Sequence, residues 1–402
     1  MNKIYLDNAA TTFPKPPCVA EAVLDYMTRL GSNISRGGYE SAYETEDLVF
    51  DARARLTDLF DGPDPKNVIF TKNITESLNV ILKGFLKPGD HVLVSSMEHN
   101  AVMRPLNQLG IELDADEGPG ITYTRIPNLR DGSLAADQLT GLLRPNTKAV
   151  VMMTASNVCG TLMPIREVGE FCRRNGLRFI VDSAQTAGLF PISMELDHID
   201  ALAFTGHKSL LGPQGTGGFI ARDDFLSEMV PLISGGTGSF SHTEEIPDIL
   251  PDRFEAGTLN LPGIAGLRAA LQYLEETGLD TIREHELTMT GLFIGALSPL
   301  IDSGRIVLVG KGMNDSPASL APSRTGVISL TLPPDDGRDI ADIAWQLDAD
   351  CGIMTRVGLH CAPAAHKSLG TYPTGTIRFS VGYATTEEEI AQAAAALTKL
   401  VK

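Results

Sequence analysis

The sequence predicts an α/β protein in which a large domain with a mostly parallel sheet is followed by a smaller α+β domain. Between residues 66 and 221, short β-rich runs alternate with helical patterns, as in strand–helix–strand units. The runs Ala149–Met153 and Phe179–Val181 are apolar throughout, which is typical of strands buried on both faces of a parallel sheet. The alternation ends near Gly263, where longer helical patterns begin.

Six strands are predicted in the first part of the chain, each a short β-rich run. They are Asn67–Phe70, His91–Ser95, Lys148–Thr154, Leu177–Val181, Ala201–Thr205 and Gly217–Ile220. Three helices are predicted between them: one from Thr75 to about Phe85, one after Glu98, and one over Ile165–Asn175 that Gly176 stops.

The C-terminal part of the chain mixes helices and strands without the regular alternation. Helical patterns cover Ile264–Leu274, Leu279–Leu297, Asp339–Leu347 and Thr386–Leu400. Strands are predicted at Ile306–Val309, Gly326–Leu332 and Thr376–Val381. The segment Asn314–Ser323 is rich in Asn, Asp, Ser, Pro and Ala, which predicts an exposed loop.

Composition excludes several classes of protein. The 402 residues include 33 Lys+Arg and 50 Asp+Glu, a net charge of −17, and binders of nucleic acid or anionic membranes need basic patches instead. No apolar run approaches the roughly 20 residues of a membrane span, and the start lacks the apolar core of a signal peptide, so we expect a cytoplasmic protein. The five cysteines include no CxxC pair, so neither a disulfide framework nor a zinc site is indicated, and no metal is expected.

Polar residues follow the predicted strands, at the edge of the sheet where open α/β proteins bind ligands. The segments are Lys72–Ser77, Glu98–Asn100, Ser156–Asn157, Asp182–Gln185 and Gly206–Ser209, the last followed by the glycine-rich run Gly212–Gly218. Each has a structural alternative when taken alone. Thr75 and Asp182 are also candidate helix caps, a lone histidine is more often structural, and a lysine usually faces solvent.

Taken together, these residue types match the requirements of pyridoxal phosphate. A lysine binds this cofactor as a Schiff base, an aspartate keeps the pyridine nitrogen protonated, and a flat side chain stacks on the ring. Hydroxyls and the backbone N–H groups of a helix N-terminus hold the phosphate. Lys208, Asp182, His99 and Thr75 supply such groups at predicted strand ends.

The chain resembles the class V aminotransferases, a family of fold-type I pyridoxal-phosphate enzymes, and within it the cysteine desulfurases and selenocysteine lyases. The joint order and spacing of six motifs carry the resemblance along essentially the whole chain. They are Tyr5–Thr12, Glu98-His99, Val181–Gln185, Thr205–Lys208, Phe254–Thr258 and Arg356–Ala362. The implied fold has a mostly parallel seven-stranded sheet, and we expect a large cofactor-binding domain over residues 15–262 and a small α+β domain formed by residues 1–14 and 263–402.

The resemblance implies roles for individual residues of the cofactor site. Lys208 would carry the Schiff base and shuttle protons, Asp182 would pair with the pyridinium nitrogen, and His99 would stack on the ring as a candidate acid or base. Gln185 would hydrogen-bond the ring hydroxyl, and Asn157 would lie beside the ring and the substrate. The phosphate would be held by Thr75, Thr205 and His207, together with the partner subunit's Thr258.

The same resemblance implies substrate-binding residues and a nucleophile. Arg378 would clamp the substrate carboxylate through a two-pronged contact, and Arg36 and Arg356 would lie near the substrate entrance. Cys361 would accept the sulfur, and its position between Gly358 and Pro363 predicts an exposed loop. The remaining cysteines are interpreted as small buried hydrophobes: Cys18, Cys159, Cys172 and Cys351.

The motif around Cys361 departs from the common form of the family, which has two histidines before the cysteine. Leu359 replaces the first of them, and His360 remains. Adjacent residues need not face one another, so activation of the thiol by His360 or by His366 stays open. The compact stretch between Cys361 and Arg378 is similar to that of a cysteine-desulfurase-like branch, which leaves the sulfur acceptor undetermined.

The resemblance therefore implies a homodimeric, pyridoxal-phosphate-dependent cysteine desulfurase. It would convert L-cysteine to L-alanine and leave a persulfide on Cys361, from which an acceptor protein of unknown identity would take the sulfur. The alternatives are a selenocysteine lyase acting on L-selenocysteine and another class V reaction such as amino-group transfer. A cofactor-binding or sulfur-carrier protein without turnover is a further alternative, which the presence of Lys208, Asp182, Cys361 and Arg378 disfavours.

Overall fold

The computed structural model describes residues 3–34, 37–112, 120–312 and 323–401. Its helices are α1 (Pro17–Asp25), α2 (Glu40–Phe60), α3 (Ile74–Phe85), α4 (Asn100–Glu112), α5 (Ile165–Asn175), α6 (Asp223–Glu228), α7 (Leu261–Thr277), α8 (Leu279–Asp302), α9 (Ile340–Cys351), α10 (Pro363–Leu369) and α11 (Glu387–Val401). Its strands are β1 (Ile4–Tyr5), β2 (Val68–Thr71), β3 (His91–Ser95), β4 (Thr122–Ile126), β5 (Thr147–Met153), β6 (Arg178–Asp182), β7 (Ala201–Thr205), β8 (Gly217–Ala221), β9 (Val307–Val309), β10 (Val327–Thr331), β11 (Ile353–Met354), β12 (Arg356–Gly358) and β13 (Thr376–Ser380).

The large sheet has seven strands in the order β2-β8-β7-β6-β5-β3-β4. Every pairing from β7 to β4 is parallel, and β8 is antiparallel to both of its neighbours. Val150 and Met152 of β5 belong to one apolar core, and Ala149 and Val151 belong to another on the opposite face of the sheet. Both faces are therefore covered, which confirms the predicted mostly parallel sheet and explains why β5 is apolar throughout.

Two smaller sheets lie in the C-terminal half of the chain. One has four antiparallel strands in the order β12-β13-β10-β9, and the other pairs β1 with β11 in parallel. A β-bridge joins Asp7 to Ser380, so the first residues of the chain lie beside the C-terminal sheet. The division into residues 15–262 and residues 1–14 with 263–402 stays a prediction.

All of the predicted strands are found within one residue of their predicted bounds. Helices α7, α8 and α9 are longer than predicted. The helix predicted over Leu279–Leu297 continues through Pro299 to Asp302. The predicted loop Asn314–Ser323 lies outside the described residues except for Ser323.

Several elements were not predicted because their sequences lack a clear apolar period. The edge strand β4 places the polar residues Thr124 and Arg125 next to each other and pairs only with β3, and β1 and β11 are two residues long. The long helix α2 includes Thr45, Arg53 and Thr57 among its buried residues, so polar side chains interrupt its apolar stripe. Tertiary packing decides these elements more than local pattern does.

Among the helices that the structure describes, none combines the length and the apolar composition needed to cross a bilayer. Within the same described ranges, no three His, Cys, Asp or Glu side chains are grouped so that they could hold a metal ion.

Candidate functional site

The carboxyl ends of the parallel strands bring the predicted site residues to one edge of the large sheet. Asp182 ends β6, Thr205 ends β7, and Asn157 lies four residues beyond β5. His99 lies between β3 and α4, and β3 is the strand next to β5 in the sheet. This edge is where open α/β sheets bind ligands.

Lys208 follows β7 and is held through its backbone, because Thr12 Oγ1 donates to the Lys208 carbonyl at 2.9 Å. Burial lowers the pKa of Lys208 from 10.5 to about 8, an effect that Asp182 opposes and Arg378 and Arg356 reinforce. A larger fraction of its amine is therefore neutral near pH 8 than for a lysine in water. Neutral amine is the form that attacks a carbonyl group.

Asp182 is a buried carboxylate, 4% exposed. Its Oδ1 accepts a hydrogen bond from the Ala184 backbone N–H at 2.9 Å. Burial raises the pKa of Asp182, while the Ala184 N–H and the Lys208 cation lower it. A cationic ring nitrogen presented to this carboxylate would be bound strongly, because little water competes for it.

His99 is a flat, neutral side chain at the same edge. Its Nδ1 accepts a hydrogen bond from the backbone N–H of Ala101 at 3.0 Å, which leaves the ring proton on Nε2. Burial, followed by the positive charges of Lys208, Arg104 and Arg378, lowers the pKa of His99 to about 4. The ring is therefore uncharged at neutral pH and offers a flat apolar face to an aromatic ligand.

Three buried polar atoms at this edge have no hydrogen-bond partner among the described residues. They are Thr205 Oγ1, His207 Nδ1 and Asn157 Oδ1. Buried polar atoms in native proteins are nearly always hydrogen-bonded, so these three atoms are candidate contacts for a polar ligand or an ordered water. Gln185, three residues after Asp182, is 8% exposed, and its Nε2 donates to the Ala9 carbonyl at 3.2 Å.

Two predicted arginines are paired across strands β12 and β13, where Arg356 lies directly opposite Arg378. Asp7 contacts both: Arg378 Nη2 is 2.8 Å from Asp7 Oδ1, and Arg356 Nη1 is 3.6 Å from Asp7 Oδ2. Arg378 is 3% exposed, and its Nη1 donates to the Asn157 carbonyl at 3.0 Å. Its Nε has no partner among the described residues, so the guanidinium retains a donor for a ligand.

Cys361 is exposed, whereas Cys159 and Cys172 are buried and Cys18 and Cys351 are half-buried. The Cys361 carbonyl accepts a hydrogen bond from the backbone N–H of Asn100, the residue after His99, at 2.8 Å. The predicted exposed loop is therefore confirmed, and it contacts the start of α4 at the site.

Thr75, which is predicted to hold the phosphate, lies exposed in the first turn of α3. The prediction that Thr75 caps this helix is wrong, because the cap is Asn73, whose Oδ1 accepts from the Glu76 backbone N–H at 3.0 Å. Thr258 is exposed and lines a cavity of about 340 Å³ together with Lys72 and Glu76. Arg36 lies outside the described residues.

Asp7 and Lys15 are site residues to which the sequence analysis gave no role. Asp7 holds both arginines, and Lys15 Nζ donates to the His207 carbonyl at 2.6 Å. Asp7 belongs to the motif Tyr5–Thr12 of the family resemblance, and this membership was the signal that could have indicated a role in the site. Nothing in the local sequence indicates that Lys15 contacts a residue almost two hundred positions away.

The chain is similar along most of its length to proteins named cysteine desulfurase. One is a probable cysteine desulfurase from Methanothermobacter thermautotrophicus, 32% identical over 397 residues that cover 96% of this chain and 92% of that protein. Another is a cysteine desulfurase from Haloferax volcanii, 30% identical, covering 91% of this chain and 82% of that protein.

Solved structures of cysteine desulfurases are also similar to the chain. The apo structure of a cysteine desulfurase from Thermococcus onnurineus matches with a TM-score of 0.86 and 29% identity, covering 99% of this chain and 94% of that one. A cysteine desulfurase from Escherichia coli matches with a TM-score of 0.83 and 26% identity over the same shares of the two chains. The sequence profile of the family described as "Aminotransferase class-V" matches residues 4–392. The protein therefore belongs to the class V aminotransferase family and has the fold-type I architecture.

Proposed function

We propose that the protein is a pyridoxal-phosphate-dependent cysteine desulfurase that converts L-cysteine to L-alanine and takes the sulfur onto Cys361. The observation that carries the proposal is the position of Cys361. This residue is exposed, and its backbone carbonyl is hydrogen-bonded to the edge of the sheet that holds Lys208 and Asp182. Homologues named cysteine desulfurase over nearly the full chain support it.

The residues present fit pyridoxal phosphate. The three unpartnered atoms, Thr205 Oγ1, His207 Nδ1 and Asn157 Oδ1, are suited to a ligand that carries phosphate oxygens and a ring hydroxyl. Lys208 would hold the cofactor through Nζ, and Asp182 would bind the protonated ring nitrogen. When bound, pyridoxal phosphate supplies an electron sink for the bonds of the substrate α-carbon.

The protein's own residues would bind the substrate and move its protons. Arg378, with Arg356 beside it, would hold the substrate carboxylate, and Asp7 keeps the two guanidinium groups in place. Lys208 Nζ would carry a proton to and from the α-carbon, since its pKa of about 8 allows both states near neutral pH.

Cys361 would perform the sulfur transfer as a thiolate. A bond forms between Cys361 Sγ and the substrate sulfur as the carbon–sulfur bond of the substrate breaks. The electron pair of that bond goes to the substrate carbon, which then takes up a proton. L-Cysteine and the enzyme thiol thus become L-alanine and an enzyme persulfide, and no external oxidant is needed.

A single assay tests the proposed function. The protein loaded with pyridoxal phosphate should produce equal amounts of alanine and sulfide from L-cysteine when a thiol reductant is present. When L-cysteine is supplied at about one equivalent per subunit and no other thiol is present, we expect alanine without release of sulfide, because the persulfide then stays on Cys361. Turnover on selenocysteine alone would identify a selenocysteine lyase, and a requirement for a keto acid would identify an aminotransferase.

The lowered pKa of Lys208 predicts how cofactor uptake depends on pH. Only the neutral amine can attach the cofactor, so the uptake rate of cofactor-free protein should rise with pH and level off above about 8. A lysine with its ordinary pKa of 10.5 would give a rate that still rises at pH 9. Stopped-flow absorbance after addition of pyridoxal phosphate measures the rate, and a profile that still rises at pH 9 would contradict the role of burial.

We also propose a homodimer in which the partner subunit's Thr258 completes the phosphate site. The loop that carries this threonine is held rigidly in each chain, because Glu255 is buried and bridged to Arg53 at 2.6 Å. Helices α1 and α2 expose large apolar side chains, among them Leu24 of α1 at 63% and Phe50 of α2 at 62%. Because α1 and α2 both pack on α7, we assign these exposed apolar side chains to the subunit interface.

The replacement Phe50→Asp should shift the protein from twice the mass of the chain toward the mass of a single chain. A charge at the centre of an apolar interface is costly to bury, so the two subunits should separate in dilute solution. Trp345→Asp is the matched control, because Trp345 is equally exposed at 66% but lies on α9. Light scattering would contradict the assignment if both variants behaved alike.

A further inference from the structure

The loop that carries Cys361 has an uncommon backbone. Two consecutive residues, His360 with φ 47° and Cys361 with φ 57°, adopt the left-handed region. Residues with a Cβ rarely take this conformation, so surrounding contacts must hold it. The loop begins at Gly358, where Gly375 packs so closely that a Cβ at position 375 would lie 2.3 Å from the Gly358 carbonyl oxygen. This end of the loop is therefore fixed, and the turn itself needs an anchor.

A one-way chain of hydrogen bonds holds the His360 imidazole. Ser329 Oγ donates to the Val158 carbonyl at 2.5 Å, and it accepts from Thr376 Oγ1 at 3.1 Å. A hydroxyl has a single proton, so Thr376 Oγ1 must accept from His360 Nε2, which lies 2.9 Å away. His360 therefore carries its ring proton on Nε2. Burial is the main reason that the pKa of His360 is lowered to about 2, so the ring is neutral.

Two further hydrogen bonds connect the same turn to the proposed active site. Asn157 Nδ2 donates to the His360 carbonyl at 2.8 Å, and the Asn100 backbone N–H donates to the Cys361 carbonyl at 2.8 Å. Asn157 lies four residues beyond β5, and Asn100 follows His99. Both carbonyls of the turn thus point to elements that line the site, while the Cys361 residue remains exposed.

We infer that His360 is a positioning residue for Cys361: its Nε2–H bond to Thr376 fixes the left-handed turn that presents the thiol to the site. The inference rests on the proposed function, since presentation of the thiol matters only if Cys361 accepts sulfur. It gives the remaining histidine of the motif a role that does not require its ring to reach the thiol. Its Nδ1 has no hydrogen-bond partner among the described residues.

Thr376 offers a matched pair of variants that tests the anchor. Thr376→Val keeps the shape of the buried side chain and removes the hydroxyl, whereas Thr376→Ser keeps the hydroxyl and removes a methyl group. We expect Thr376→Val to lower kcat for alanine formation by about tenfold or more with KM nearly unchanged, because a misplaced reacting group costs rate rather than binding. Thr376→Ser should stay within about twofold of the wild type, since the hydrogen bond remains.

Backbone hydrogen exchange over residues 358–362, measured by mass spectrometry, supplies a second readout that needs no turnover. It should be faster in Thr376→Val than in the wild type and unchanged in Thr376→Ser. The pair His360→Gln and His360→Ala gives the same comparison if Thr376→Val does not fold, because a glutamine amide can replace the Nε2–H donor. We expect His360→Gln to keep more of the wild-type kcat than His360→Ala.

Two results would overturn the positioning role. One is equal kcat and equal exchange in Thr376→Val and Thr376→Ser, which would assign the effect to packing. The other is wild-type exchange and wild-type kcat in Thr376→Val. A wild-type protein that makes no alanine from cysteine would contradict the proposed function instead, and the exchange comparison would still decide whether His360 anchors the turn.

Discussion

Replacing Lys208 with alanine should abolish alanine and sulfide production from cysteine, a loss of at least about a thousandfold. The variant should still fold, because the side chain of Lys208 makes no hydrogen bond or ion pair within the described residues, and Thr12 holds only its backbone. The cofactor should bind weakly and without a covalent bond. Dialysis followed by absorbance would show whether pyridoxal phosphate is retained.

Lys15 is a second lysine near the site, so the prediction can distinguish which of the two lysines binds the cofactor. Burial lowers the pKa of Lys15 to about 8 as well, and its Nζ lies 2.6 Å from the His207 carbonyl, close to the same site. Borohydride reduction of the wild-type protein with bound cofactor, followed by peptide mapping, should label Lys208 alone. Lys15 Nζ already donates a hydrogen bond to a backbone carbonyl, whereas Lys208 interacts electrostatically with Asp182 and the two arginines. A label on Lys15 would contradict the assigned site.

The sequence predicted the core of the sheet well because β5, β6 and β7 are buried on both faces. A strand in that position must be apolar throughout, so its own composition reveals it. The edge strand β4 was missed for the complementary reason: it pairs with one neighbour only, and three of its five residues are Thr or Arg, without a regular alternation. Its existence depends on pairing with β3, which no local pattern records.

The candidate site shows the same division. Residues at strand ends, such as Asp182 and Thr205, could be predicted because the end of a parallel strand has a known relation to the ligand edge. Asp7 could not be assigned a role in this way. It contacts Arg378 across 371 positions of the chain, and only the folded structure brings the two together. The helix cap at Asn73 was misassigned to Thr75 because both residues are polar and lie at the same helix start.

Replacing Cys361 with alanine should leave cofactor binding intact and lower sulfide release from cysteine by at least about a hundredfold. The reason is a division of labour between the residues of the site. Lys208, Asp182 and the arginines act on the α-carbon and the carboxylate of the substrate, and only carbon–sulfur cleavage requires a thiolate. Cys361 is the one exposed cysteine within the described residues, and its carbonyl is hydrogen-bonded to the start of α4.

Cys351→Ala is the matched control for this prediction. Cys351 is half-buried at the end of α9, and we give it no role in the reaction, so its removal should leave turnover unchanged. Mass spectrometry after incubation with cysteine and without reductant should find the persulfide in the wild type and in Cys351→Ala, and not in Cys361→Ala.

Selenocysteine separates the sulfur-transfer step from cofactor and substrate binding. A selenol leaves carbon more readily than a thiol, so Cys361→Ala should retain more activity on selenocysteine than on cysteine. Equal loss on the two substrates, together with weakened cofactor binding, would mean that residue 361 supports the site as a whole. Sulfide release from cysteine by Cys361→Ala at the wild-type rate would exclude sulfur transfer through this thiol. Another class V reaction would then account better for a site in which Lys208, Asp182 and Arg378 are all present.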